Sequence, residues 1–209
     1  MPYHPPESPT AAKQAIIAVG RAFDARGWAP ATSGNYSVRL ADGRIAVTVS
    51  GAHKGRLDED DVMLLAADGT ALEAKRPSAE TALHLALYAH SPAIGAVLHS
   101  HSSAAVGLSR ARRDADHVTL AGHEMLKALP GVTTHAHAIA IPIVANSQDM
   151  AEIDAALGGR IDAAPAYLIR DHGLYAWGGD IAEAERVTEA IEWMIAAELA
   201  ELTFAGAAR

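Results

Sequence analysis

The chain has 209 residues, no cysteine and a formal net charge of −8, and it is half hydrophobic and one-fifth charged. That mix excludes a disordered or fibrous chain and describes one folded domain whose core needs no covalent staple. An acidic surface without a Lys/Arg-rich run argues against nucleic acid as a partner, and any metal site must be built from His, Asp or Glu.

Residues 1–9 hold four prolines and read as an irregular lead-in to a single domain over 10–209. This stretch has neither a basic nor an apolar signal region, and no run reaches the ~20 apolar residues of a membrane span, so a cytoplasmic protein is expected. Ser8 or Thr10 can cap a helix running to about Arg26, with Ile16, Ile17, Val19, Ala22 and Phe23 as its apolar stripe and Gly27 as its stop. Gly34-Asn35 opens an alternating strand within 32–40. Asp42-Gly43 turns it into a second strand over 44–49, and Asp68-Gly69 marks a second hairpin between 63–66 and 70–73.

Pro77-Ser78-Ala79-Glu80 starts a helix to about His90, with Ser78 as its cap. Residues 94–101 read as a buried strand with a polar end, 102–108 as a short helix, and 109–117 as a loop. In that loop Arg110, Arg112 and Arg113 are balanced by Asp114 and Asp116. A helix over 122–129 ends at Pro130-Gly131, a strand follows over 139–144, and a helix over 149–157 closes at Gly158-Gly159. Two short strands, 167–170 and 174–177, flank Asp171-His172-Gly173, and a long amphipathic helix occupies 181–203. The sum is an α/β fold: one three-layer α/β/α domain around a largely antiparallel sheet.

His99-Ser100-His101 is the sharpest chemical feature. Alternate residues of a strand share a face roughly 7 Å apart, so both imidazoles can converge on one cation. His135-Ala136-His137 has the same spacing and is a rival pair, although Pro130-Gly131-Val132-Thr133-Thr134 leads into it as a turn rather than a buried strand. His172 lies in a turn, where a positive φ at Gly173 is expected to aim its ring inward. Three histidines with an open position is a catalytic zinc pattern.

Glu80 and Glu124 each fall in the first turn of an expected helix. Both are candidates for acid/base work, and both are also explained as ordinary helix-start acids. The turns Ser33-Gly34-Asn35, Ser50-Gly51 and Pro77-Ser78-Ala79 can offer backbone N–H groups to an anion, with Lys54 adding a point charge.

In chain order, Gly34-Asn35, Ser50-Gly51, Pro77-Ser78-x-Glu80, His99-x-His101 and His172-Gly173 resemble the class II aldolase/adducin family over nearly the whole length. The resemblance implies one Zn2+ per subunit on His99, His101 and His172, and a substrate phosphate held by Gly34, Asn35, Ser50, Gly51, Lys54 and Ser78. The partner it implies is a small phosphorylated ketose, with no nucleic acid or membrane, and the assembly a homotetramer with sites near subunit boundaries.

The stretches 50–55, 77–81, 123–127, 141–149 and 170–178 look most like a branch that dehydrates a 1-phosphorylated 2-ketose bearing a methylthio group. There Glu124 is the first candidate acid/base and Glu80 the second. Ala79 stands where aldolase relatives often carry a second serine, which removes one possible phosphate donor. A sugar-phosphate aldolase and a non-enzymatic adducin-like binding module are the alternatives within the family.

Overall fold

The computed structural model of the chain describes residues 5–207. The expected lead-in therefore lies partly outside the described residues. Within them, residues 5–8 have no regular structure and Pro9 already opens the first helix. Ser8 is the cap: its side chain accepts from the Ala11 N–H at 3.2 Å, and Pro9 sits where a missing N–H costs nothing. This helix, α1 (Pro9–Ala25), buries Ile16, Ile17, Val19 and Phe23, and Gly27 beyond it takes φ +71.

The strands are β1 (Asn35–Arg39), β2 (Ile45–Thr48), β3 (Val62–Leu65), β4 (Ala96–Ser100), β5 (His117–Ala121), β6 (Ala138–Val144), β7 (Ala166–Ile169) and β8 (Gly173–Gly178). They form one sheet in the order β3-β2-β1-β4-β8-β7-β6-β5. Every neighbouring pair is antiparallel except β6 with β7. The remaining helices are α2 (Thr81–His90), α3 (Ser103–Ala111), α4 (Met150–Leu157) and α5 (Ile181–Ala207).

The sheet separates two layers. Ala96 and Leu98 of β4 pack with α1 residues and with Ala184 of α5, whereas Val97 packs with Leu83 and Leu87 of α2 and Ile153 of α4. The alternation of a strand does this, and it fixes the side on which the next residues fall: His99 follows Val97, and Ser100 follows Leu98. Among the described residues, no helix is long and apolar enough to cross a membrane.

Several expectations change. The turn at Asp68-Gly69 forms, with Gly69 at φ +87, but only an isolated bridge, Leu65 to Ala71, follows it. The Leu64 N–H bonds the Glu73 carboxylate at 2.8 Å, and Leu72 points to solvent, so the returning segment has no face to bury. The helix expected from Pro77 begins only at Thr81. Pro77 is bridged to Val49 and the Ser78 N–H bonds the Thr48 carbonyl at 3.3 Å, which keeps this segment extended; Ser78 is not a cap.

Residues 109–117 are not all loop. Helix α3 runs to Ala111 and strand β5 starts at His117, with Val118 and Leu120 buried between exposed neighbours. Residues Glu124–Ala128 make 3₁₀ turns rather than an α-helix, with Leu126 buried and Leu129 just beyond their end also in the core. Positive φ falls at Asp171 (+63), not at Gly173.

Candidate metal centre

Three neighbouring strands place Asn35, His99 and Tyr175 in one row: His99 is paired in register with Asn35 of β1 on one side and with Tyr175 of β8 on the other. The His99 ring is fully buried and stacks on Tyr175, centroids 4.0 Å apart, and its Nδ1–H donates to the Leu174 carbonyl at 3.0 Å. Nε2 faces the end of the strand, 3.1 Å from the Glu80 carboxylate. His172, in the β7–β8 turn, is fixed the same way: Nδ1–H donates to Asn146 Oδ1 at 3.2 Å, and Nε2 lies 3.3 Å from Nε2 of His99. His101 follows β4; its backbone N–H bonds the Trp28 carbonyl at 2.7 Å, and its ring lies 4.5 Å from that of His99 and 4.7 Å from that of His172.

Ligand atoms of His99, His101 and His172 all lie within 4.8 Å of one another. Ligands at ~2.05 Å around a tetrahedral cation are separated by about 3.3 Å, and the His99–His172 spacing of 3.3 Å matches that edge. The donor set therefore fits a divalent cation, with ring orientations set by a carbonyl and an amide behind the ligands.

Glu80, in the turn before α2, offers no cap to its helix. Its carboxylate instead faces the histidines, 3.1 Å from Nε2 of both His99 and His172, and accepts from Tyr175 Oη at 2.6 Å and Asn35 Nδ2 at 3.1 Å. Burial alone would raise this carboxyl, but the hydrogen bonds from His172, His99 and Tyr175 and the charge of His99 hold it well below the usual carboxylate range. Burial, reinforced by the neighbouring His99 and His172, pushes His101 down to about 3.

Behind the strand end a second carboxylate holds the ligand loop. Glu192 of α5 is buried and accepts from Ser100 Oγ at 2.6 Å and Ser102 Oγ at 2.5 Å, the two residues that flank His101. Burial raises its pKa, opposed by those two hydroxyls.

The residues expected to hold phosphate take different places. Gly34 takes φ +77, and a Cβ there would stand 2.8 Å from the His99 carbonyl oxygen, so only glycine fits beside β4. The Asn35 side chain is committed to Glu80 and His84. The Ser50–Gly51 turn and Ser78 lie side by side, joined by the Val49–Pro77 bridge and by the Ser50 N–H on the Arg76 carbonyl at 3.0 Å. Lys54 is buried; its ammonium bonds the carbonyls of Thr32 at 3.0 Å and Ala52 at 2.5 Å, tying those loops together, and burial lowers its pKa to about 8.

Glu124 is exposed on its 3₁₀ turn, ion-paired with Lys127 and 3.7 Å from His135. The rival pair His135 and His137 is exposed, and neither belongs to the histidine cluster. Tyr175, Asn146 and Glu192 were not singled out from the sequence. Asn146 and Tyr175 fall within the stretches 141–149 and 170–178 that carry the resemblance, and Tyr175 is also the polar-tipped ring of a buried strand two residues after Gly173.

Residues 14–199 match the family described as class II aldolase and adducin N-terminal domain. A methylthioribulose-1-phosphate dehydratase of Gluconobacter oxydans (strain 621H) is 49% identical over 189 residues, covering 90% of this chain and 90% of that protein. One of Pseudomonas paraeruginosa (strain DSM 24068 / PA7) is 50% identical over 194 residues, covering 91% and 94%. The crystal structure of L-fuculose-1-phosphate aldolase from Thermus thermophilus matches with a TM-score of 0.77 at 25% identity, covering 95% of this chain and 97% of that one.

Proposed function

The chain belongs to the class II aldolase and adducin family, and on that premise we propose that it is a zinc-dependent dehydratase of methionine salvage. It removes water from 5-methylthioribulose 1-phosphate to give 2,3-diketo-5-methylthiopentyl 1-phosphate. The observation that carries this reading is near-full-length identity of about one half to proteins named for that dehydration, in a chain that keeps His99, His101, His172 and Glu80 together.

His99, His101 and His172 would hold a divalent cation, which would supply Lewis acidity toward the carbonyl oxygen of a 2-ketose and so acidify the neighbouring C3–H. A carboxylate takes that proton. A carboxylic acid protonates the departing C4 hydroxyl, the C4–O bond breaks to release water, and the enol left behind ketonises to the 2,3-diketone. Glu80, which faces the histidines and accepts from Tyr175 and Asn35, is the second acid/base group and orients the open side of the centre. Glu124 is the principal proton carrier, and it reaches the centre from an adjacent copy of a homotetramer, since in its own copy it lies on an exposed turn. The adjoining Ser50–Gly51 and Ser78 segments, with Gly34, form the phosphate end, and Lys54 stiffens it from beneath. A cytoplasmic location is part of the same reading.

The test is product analysis with purified, metal-replete protein and methylthioribulose 1-phosphate. A product lighter by one water and no aldehyde is expected. An aldehyde fragment would establish the aldolase reading that the fuculose-phosphate aldolase likeness favours, and protein without stoichiometric metal would point to a binding module. Co-expression of Glu80→Ala and Glu124→Ala chains checks the shared site: each alone is expected to be inactive and the hybrid partly active. A hybrid as inactive as its parents would overturn the neighbour's role of Glu124.

A further inference from the structure

Beneath Glu80 a run of buried polar side chains crosses from β1 to α2. Asn35 Oδ1 lies 2.5 Å from His84 Nε2, His84 Nδ1 lies 2.7 Å from Ser37 Oγ, and Ser37 Oγ lies 2.8 Å from Tyr88 Oη. Asn35, Ser37, His84 and Tyr88 are all buried, His84 and Ser37 completely. No step of the proposed reaction uses His84, Ser37 or Tyr88, yet buried polar groups are retained at a cost unless they are fully paired.

The proton positions along this run follow from one end. Glu80 Oε2 accepts from Tyr175 Oη and from Asn35 Nδ2, so the Asn35 amide turns its N–H to the carboxylate; the reverse orientation would set two oxygens face to face. Asn35 Oδ1 then needs a donor, and His84 Nε2 must carry a hydrogen. Burial first, with a further push from His99, lowers His84 to about 3, so its ring is neutral and Nδ1 is a bare acceptor. Ser37 must donate to that nitrogen. With its only hydrogen spent, Ser37 accepts from Tyr88.

We infer that His84 is a positioning residue that, with Ser37 and Tyr88, forms a one-way run of donors ending on Glu80: Tyr88 to Ser37, Ser37 to His84, His84 to Asn35 and Asn35 to Glu80. The inference rests on the proposed reading only in that Glu80 faces the bound ketose. The tautomer of His84 fixes the amide of Asn35, and that amide fixes the Glu80 carboxylate against the histidines. The run does not conduct protons. Its amide link would have to ionise or rotate, and rotation would turn an oxygen onto the carboxylate. It acts by aiming and by donating.

The test combines a spectroscopic readout with kinetics. In 15N-histidine-labelled protein, with His84 assigned by its loss in His84→Gln, the nitrogen shifts are expected to show a protonated Nε2 and a bare Nδ1, with the Nε2 proton far downfield. A ring protonated at Nδ1 would reverse the direction and overturn the inference. On methylthioribulose 1-phosphate, His84→Leu is expected to lower kcat at least about tenfold with KM nearly unchanged, His84→Gln, which keeps a donor toward Asn35, to recover part of the loss, and Tyr88→Phe to give a smaller drop of the same kind. Unchanged kcat in folded His84→Leu would overturn the inference, and if that variant does not fold, unchanged kcat in Tyr88→Phe would do so. A parent protein inert on this substrate defeats the proposed reaction, while the tautomer measurement needs no turnover and still decides the direction of the run.

Discussion

Gly173 lies against Ser100 so closely that a Cβ on it would stand 2.1 Å from the Ser100 carbonyl oxygen and 3.1 Å from Cε1 of His99. The glycine is required by this approach of β8 to β4, not by its φ. Gly173→Ala must therefore push apart the two strands that bring His172 to His99. A loss of about 2–3 kcal/mol of stability and of bound metal is expected, read by chemical denaturation and elemental analysis.

The two His-x-His pairs separate in a simple experiment. His172→Ala and His99→Ala are expected to take metal content from about one per chain to near zero, with a circular dichroism spectrum like the parent's. The double variant His135→Ala/His137→Ala is expected to keep its metal, because both rings are exposed and outside the cluster. Metal retained without His172 would remove it from the ligand set.

Glu192 holds the serines on either side of His101, so its influence should reach the cation without touching it. Glu192→Gln keeps one acceptor and one oxygen's worth of shape. Roughly tenfold weaker metal affinity is expected in a chelator competition, with thermal stability changed far less. Equal affinities would reduce Glu192 to a packing role.

Lys54 makes stability rise with alkaline pH. Its folded pKa, about 8, lies below the ordinary lysine value, so between about 8 and 10.5 the unfolded chain binds more protons than the native one. Its destabilising contribution is full below pH 8 and fades as pH rises through that window. Urea denaturation at pH 7.5 and 10 is expected to show a gain on the order of 1–2 kcal/mol that Lys54→Met loses. Parallel pH slopes in the two proteins would show that the ammonium is held without penalty by the Thr32 and Ala52 carbonyls.

Much of this was legible in the residues. The apolar run into His99-x-His101 reads as a buried strand ending in ligands because strand periodicity is local, and the turns at Asp42-Gly43 and Gly27 declare themselves by chemistry. Strand β5 was missed although Val118 and Leu120 alternate with polar neighbours, because the charged segment before it reads as loop. What local pattern does not carry is direction. Glu80 looks like a helix-start acid until β1, β4, β8 and the β7–β8 turn bring Asn35, His99, Tyr175 and His172 to it, and Lys54 looks like a free cation until two loops close over it. The family resemblance supplied His172, whose turn alone does not distinguish a ligand from an ordinary surface residue.

His99 and His172 stand 73 positions apart along the chain and meet only across the β4–β8 pair. An unfolded chain offers a cation the local pair alone, and the third imidazole arrives when distant segments have zipped together. A bound ion thus acts as a clasp between the two halves of the polypeptide, adding about 1.4 kcal/mol to native stability for each tenfold rise of free metal above its dissociation constant. Starving the protein of metal should loosen the middle of the sheet before its edges, and hydrogen exchange at β4 and β8 would register the slackening first.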